Sequence, residues 1–197
     1  PRLTMLFGRL TNAHLRYAAV AVLGLLVLQV FVLWLMGQPA ICECGYIKWW
    51  EGVVLSPGNS QHIADWYTFS HIIHGLLFYW LLSVIFPRVP VVARLLLAMG
   101  MEISWEILEN TPMVIEHYRQ QALAAGYTGD SILNSLSDTL AMMLGFVAAW
   151  KLPVWGSIML GLGLEGVPLW AMRDGLSLNI IGFFHQFDFI SQWQNGE

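Results

Sequence analysis

Charge is what this chain has least of. Of 197 residues, 11% are Asp, Glu, Lys or Arg and 57% are hydrophobic, whereas an average soluble domain carries about 25% charged residues. So few charges cannot solvate a globular surface, which excludes a soluble enzyme and a disordered chain. The basic face that nucleic-acid binding requires is missing too, so no nucleic-acid partner is expected. No internal repeat is visible, which argues against a two-lobed, proton-coupled carrier. Cysteine is scarce: Cys42 and Cys44 flank Glu43. Residues two apart make a strained disulfide at best. Intermolecular pairing, metal binding and two free thiols compete, and the pair is assigned no catalytic role.

Long apolar runs are what the chain has in abundance. A helical crossing needs about 20 mostly apolar residues. Five stretches qualify: residues 17–36, with Gln29 the one strongly polar member, then 66–86, 91–110, 131–150 and 153–172. Arg2, Arg9 and Arg16 precede the first run as in a signal peptide. The run is too long for a cleaved signal, and Gln38-Pro39-Ala40-Ile41-Cys42 lacks the small residue that a lipoprotein site places before its Cys, so it reads as a retained anchor. The chain opens on Pro1, from which a processed or missing natural start is expected. Residues 37–65 form a long outer loop, and residues 175–197 are too short and polar for a sixth crossing. The predicted fold is all-α: one membrane-embedded helix bundle of about five transmembrane helices plus a C-terminal interfacial or re-entrant helix.

The positive-inside rule orients it. With the N-terminus inside, the cytoplasmic pieces hold Arg2, Arg9, Arg16, Arg88, Arg94 and Lys151, and the outer pieces hold Lys48, Arg119 and Arg173. All 13 acidic residues fall outside or in the outer halves of the spans. The C-terminus is then outside as well.

Ionisable side chains at membrane depth cost several kcal/mol and mark functional sites by default. His71 and His74 share one face of the second span at i and i+3. Glu102, Glu106 and Glu109 share a face of the third, and Asp130, Asn134 and Asp138 a face of the fourth. The fifth carries Glu165, with Pro168 beyond it to bend the outer turn. His74, Glu102, Asp138 and Glu165 each lie eight residues inward from an outer span end, about 12 Å deep at ~1.5 Å per residue. Four helices thus place four ionisable groups in one layer, with His71, Glu106 and Asn134 one turn nearer the outside.

Clustered carboxylates cannot all stay ionised in low dielectric. Two imidazoles with several carboxylates suit a divalent transition metal, zinc, iron or manganese. The expected ligands are His71, His74, Glu102, Glu106 and Asp138, with Glu109 or Glu165 as catalytic base. Asp130, Asn134 and Arg173 support them; Arg173 either pairs with Asp174 or reaches the carboxylates or an anionic headgroup. A metal-free proton relay and a purely structural network compete with the metal. Residues 56–62 read as a turn-rich lid or a plain connector. Trp49, Trp50 and Trp66 read as interfacial anchors, and Gly156, Gly161, Gly163 and Gly166 as a face for close helix contact.

Several stretches resemble a family of uncharacterised bacterial inner-membrane proteins, a UPF-type domain of unknown function. They are Ile41-Cys42-Glu43-Cys44-Gly45, Asn59-Ser60-Gln61-His62, Asp65-Trp66-Tyr67-Thr68 and Ser70-His71-Ile72-Ile73-His74-Gly75. Trp105-Glu106-Ile107-Leu108-Glu109-Asn110, Gly129-Asp130-Ser131-Ile132-Leu133-Asn134-Ser135, and Arg173-Asp174 before Leu176-Ser177-Leu178-Asn179 complete the set. A fainter similarity is to VanZ-like membrane proteins, linked to glycopeptide-antibiotic tolerance, through His71 or His74, Glu102 or Glu106, and Asp130 with Asn134. These resemblances imply a bacterial inner-membrane location and leave the reaction open. Two functions follow as expectations. One is a metal-dependent hydrolase or transferase acting on a lipid-linked or envelope substrate at the outer leaflet. The other is a non-catalytic subunit of an energy-transducing or photosynthetic membrane complex, its polar layer serving as scaffolding.

Overall fold

The computed structural model describes residues 12–196, and side chains from residue 16 onward. Arg2 and Arg9 of the orientation argument lie outside the described residues. Among those described, the chain is all helix, in the order α1 (Asn12–Leu35), α2 (Thr68–Ile85), α3 (Val91–Glu109), α4 (Pro112–Tyr118), α5 (Ile132–Lys151), α6 (Val154–Met172), α7 (Leu176–Phe184) and α8 (Asp188–Asn195). The five apolar runs are the five long helices. Four of them, α1, α2, α5 and α6, are long and apolar enough to cross a membrane. The fifth, α3, matches them in length but carries Arg94, Glu102, Glu106 and Glu109.

Local chemistry sets the ends. Proline closes α2 and opens α3, since Pro90 cannot donate a backbone hydrogen bond and caps the next helix in extended conformation. Pro112 occupies the first turn of α4, where a missing N–H costs nothing. Ser131 caps α5 by accepting the Asn134 N–H. Two further N–H groups at the start of α5, on Ile132 and Leu133, donate to Pro39 and Ala40 of the loop between α1 and α2. That loop contains no helix, yet it is tied down, with a parallel bridge between Glu51 and Asp65. The tail is two short helices rather than the single one expected.

The bundle is organised around α2, whose tightest neighbour is α5. At Gly75 an added Cβ would lie 2.0 Å from the Met142 carbonyl oxygen, and at Gly145 2.0 Å from that of Ile72. Only glycine lets the two backbones approach so closely. The series Gly156, Gly161, Gly163 and Gly166 does not play this part: Gly163 and Gly166 face open space. One half of the bundle is an apolar core of Leu82, Ala98, Met99, Met142 and Phe146. Outward-facing α1 and α6 expose Leu23, Val27, Trp155, Leu162 and Trp170, an apolar surface suited to lipid. Gln29, the polar member of α1, is fully buried and clamps α5, donating to the Ser135 carbonyl and accepting from the Thr139 hydroxyl.

A candidate His/carboxylate centre

The centre forms where α2, α3 and α5 converge. The 3.6-residue period turns His71, His74 and Gly75 toward the same side of α2, and the Gly75–Gly145 contact draws that face onto α5. His71 Nδ1 lies 2.6 Å from Glu102 Oε1 and 3.3 Å from Glu106 Oε1, and His71 Nε2 lies 3.8 Å from Asp138 Oδ2. His74 Nδ1 is 3.1 Å from Glu102 Oε2. All five expected ligands therefore meet around His71. They make two three-donor groups that share it: His71, His74 and Glu102, and His71, Glu106 and Asp138. In each, one ligand atom per residue lies within 4.8 Å of the others, close enough to surround one ion.

Three carboxylates and two imidazoles brought this close need either shared protons or a cation. Glu102 and Glu106 are 0% and 1% exposed. The Ser135 hydroxyl donates to Glu106 Oε2 at 2.5 Å, while Asp138 Oδ1 has no hydrogen-bond partner. Ser135 escaped the sequence reading. The clue was there: it stands three residues before Asp138 and so shares its helical face. Nothing about Ser135 in isolation separates it from a packing serine.

Above the centre opens a cavity of about 1120 Å³. His71, His74 and Asp138 border it, and Glu109, Tyr118 and Tyr127 stand on its wall. The loop through residues 53–62 forms another side, and Leu176, Ile180, Phe183 and Phe184 of α7 supply an apolar one. Glu102 and Glu106 sit behind the histidines, outside the lining. The cavity thus joins a polar floor to an apolar flank, and Phe184 is largely exposed on the outer side of that flank.

The remaining expected residues do other work. Asp130 is locked: Asn110 Nδ2 and the Tyr127 hydroxyl donate to its two oxygens, at 2.7 and 3.0 Å. Burial pushes its carboxyl up to about 6, against the pull of those two donors. Asn134 turns toward the loop and donates to the His62 carbonyl. Glu165 is not near the histidines. Its oxygens accept the N–H groups of Leu176 and Ser177 and the Ser177 hydroxyl, so it satisfies the orphan donors that begin α7. Arg173, a left-handed residue at the end of α6, is exposed and donates to the Trp193 carbonyl at 2.7 Å. It pairs neither with Asp174 nor with the carboxylates. Asp174 is buried and accepts from the Tyr67 hydroxyl and the Gly175 N–H.

The loop over residues 37–65 is better ordered than a plain connector. Gln61 donates to the Gly129 carbonyl, Ser131 to the Gln61 carbonyl, and Asp65 accepts the N–H groups of Ser60 and Tyr67. Ser60 holds a positive φ of 58° within this network. Glu51 accepts from Lys48 Nζ at 2.6 Å. Burial alone would raise its carboxyl, but the Lys48 ammonium and the Val53 N–H hold it below the usual range. Cys42 and Cys44 are joined to each other as a disulfide, beside a buried His62.

Compared with known proteins, the chain matches the family described as a protein of unknown function, DUF2585, over residues 33–196. A UPF0314 protein of Agrobacterium fabrum is 50% identical over 93% of this chain and 92% of its own length. One of Rhizobium meliloti is 52% identical over 89% of each, and one of Paracoccus denitrificans 47% identical over 86% of this chain and 89% of its own. No solved structure matches. These matches lend nothing to the VanZ-like resemblance.

Proposed function

The chain belongs to the DUF2585 family, and on that footing we propose that it is a metal-dependent hydrolase or transferase of the bacterial inner membrane. Its substrate is a lipid-linked or envelope molecule, taken at the outer leaflet. One observation carries the reading: two three-donor groups sharing His71 present His71, His74 and Asp138 to a cavity whose flank, on α7, is apolar. A hydrolytic centre needs the first and a lipid-linked substrate needs the second.

His71, His74 and Glu102 would hold one ion, with Glu106 and Asp138 as the further donors. Such an ion would supply a water acidic enough to be deprotonated near neutral pH. Glu109, on the cavity wall one turn along α3, would be the base placed to take the proton. Glu165 is withdrawn from that role, because its oxygens are spent on the first turn of α7. The bundle crosses the membrane five times, α3 included, since its charged residues point into the bundle. The N-terminus is cytoplasmic and the C-terminus periplasmic.

Elemental analysis of the detergent-purified protein tests the metal. The native chain is expected to carry about one or two equivalents of a transition metal, lost in both His74→Ala and Glu106→Ala. No metal in any sample, with all three equally folded, would favour the second reading. That reading is a proton-sharing network inside an accessory subunit, and the 2.6 Å contact between His71 and Glu102 supports it. Co-purification with stoichiometric partners would then be expected. For orientation, a membrane-impermeant thiol reagent should label a cysteine placed near Ser56 and spare one near Arg88.

A further inference from the structure

The loop above the cavity carries chemistry that the His/carboxylate centre does not use. The Cys42–Cys44 disulfide spans a single residue, Glu43. A disulfide stabilises a fold chiefly by restricting the unfolded chain, and its effect grows with the length it closes. A bridge around one residue closes almost nothing, so stability does not account for it. The loop is already held by the Gln61 amide, the Ser131 hydroxyl and the Lys48–Glu51 pair.

The two sulfurs are unlike. Both residues border the cavity, but Cys42 is 5% exposed, whereas Cys44 is open to solvent. The Cys44 backbone N–H donates to Cys42 Sγ at 3.2 Å, and such a donor favours the thiolate form of the sulfur it faces. One ring nitrogen of His62 and both sulfurs lie within 4.8 Å of one another. His62 is 1% exposed and its Nε2 has no hydrogen-bond partner. An accessible sulfur, a shielded sulfur with a donor aimed at it, and an imidazole beside both are the parts that thiol–disulfide exchange requires.

We propose that Cys42–Cys44 is a thiol–disulfide exchange site whose substrate is a dithiol. An incoming thiolate bonds to Cys44 Sγ as the Cys44–Cys42 bond breaks. The electron pair departs on Cys42 Sγ, where the Cys44 N–H receives it. The proton released by the incoming thiol ends on Cys42, with the His62 ring as the group that passes it. The second thiolate of the substrate then attacks its own sulfur in the mixed disulfide and frees Cys44, which takes the second proton. Two electrons have moved: the dithiol is oxidised to a disulfide, and Cys42–Cys44 is reduced. This role is independent of whether the His/carboxylate centre holds a metal.

The test follows thiol state by alkylation and mass spectrometry of the full chain in detergent. The native pair should be isolated oxidised, open in dithiothreitol and re-form in oxidised glutathione. In Cys42→Ser, Cys44 should capture glutathione from its disulfide at least about tenfold faster than Cys42 does in Cys44→Ser, because access controls the rate. His62→Ala should slow opening of the native pair by dithiothreitol. Equal capture by the two cysteine variants would overturn the proposal, as would thiols that stay reduced in oxidised glutathione. One equivalent of zinc held by the reduced protein and lost in either cysteine variant would also overturn it, by making the trio a metal site.

Discussion

The two sides of this bundle each carry a glutamate and use it in opposite ways. On α3, Glu102 is fully buried and meets two imidazoles. On α6, Glu165 meets no ionisable partner and instead accepts backbone N–H groups from the start of α7. The cause is packing. Helices α2 and α5 meet at the Gly75–Gly145 contact and α3 sets Glu102 and Glu106 against His71, so the buried charges must answer one another. Helix α6 stays at the edge with most of its surface open. Its glutamate is left to satisfy the nearest orphan donors, and these begin the helix that walls the cavity. A buried carboxylate is therefore informative here only through its neighbours.

The strongest way to break the contrast is to push the helices apart. Gly75→Leu should destabilise the fold by well over about 3 kcal/mol, beyond ordinary overpacking, because backbone rather than a yielding side chain stands in the way. Thermal unfolding in detergent would read this as loss of a cooperative transition, while Gly163→Ala, in open space, should leave it unchanged. Next in size is the division of labour between the glutamates. Glu102→Gln should abolish metal retention and Glu165→Gln should preserve it; equal loss in both would erase the distinction drawn here. Smaller and more local is Glu165→Ala, which removes a helix cap worth about 0.5–2 kcal/mol. Hydrogen exchange should quicken in Leu176–Phe184 and remain unaltered in α2.

A pH dependence on the α6 side tests the same contrast from another direction. Burial pushes Asp174 up to about 6 from its ordinary 3.8, despite the Gly175 N–H and the Tyr67 hydroxyl that favour its charged form. A carboxyl raised in the fold stabilises it fully below the ordinary value, and that contribution is lost as pH climbs through the raised one. Melting temperature should fall by a few degrees across that interval, and Asp174→Asn should remove part of the slope. Asp130, also near 6, and Asp65, raised by burial, would keep much of the rest.

Much of the centre is legible in the sequence. His71 and His74 at i, i+3 and Glu102 and Glu106 at i, i+4 declare a face, and in a chain this poor in charge a polar face at depth stands out. Ser135 and the glycine pair were not legible, since serine and glycine carry no mark of being at a contact until the opposite helix is known. Glu165 and Arg173 misled for the complementary reason. Charge and depth suggested the cluster, but the neighbours that claimed them, the first N–H groups of α7 and the Trp193 carbonyl, are invisible in a linear spacing.

Composition and periodicity were enough for the class of protein, the five long helices, and the helical faces that carry His71, His74, Glu102, Glu106 and Asp138. These are local properties, set by how many apolar residues run together and by the 3.6-residue turn. Which faces meet is a different kind of fact. It depends on where two backbones approach closely enough to touch, at Gly75 and Gly145, and on which orphan hydrogen-bonding groups each side chain then finds. Those choices couple residues about 70 positions apart, so only folding makes them: His71 at the hub, Glu165 at the α7 cap, and Cys42 and Cys44 over the cavity mouth.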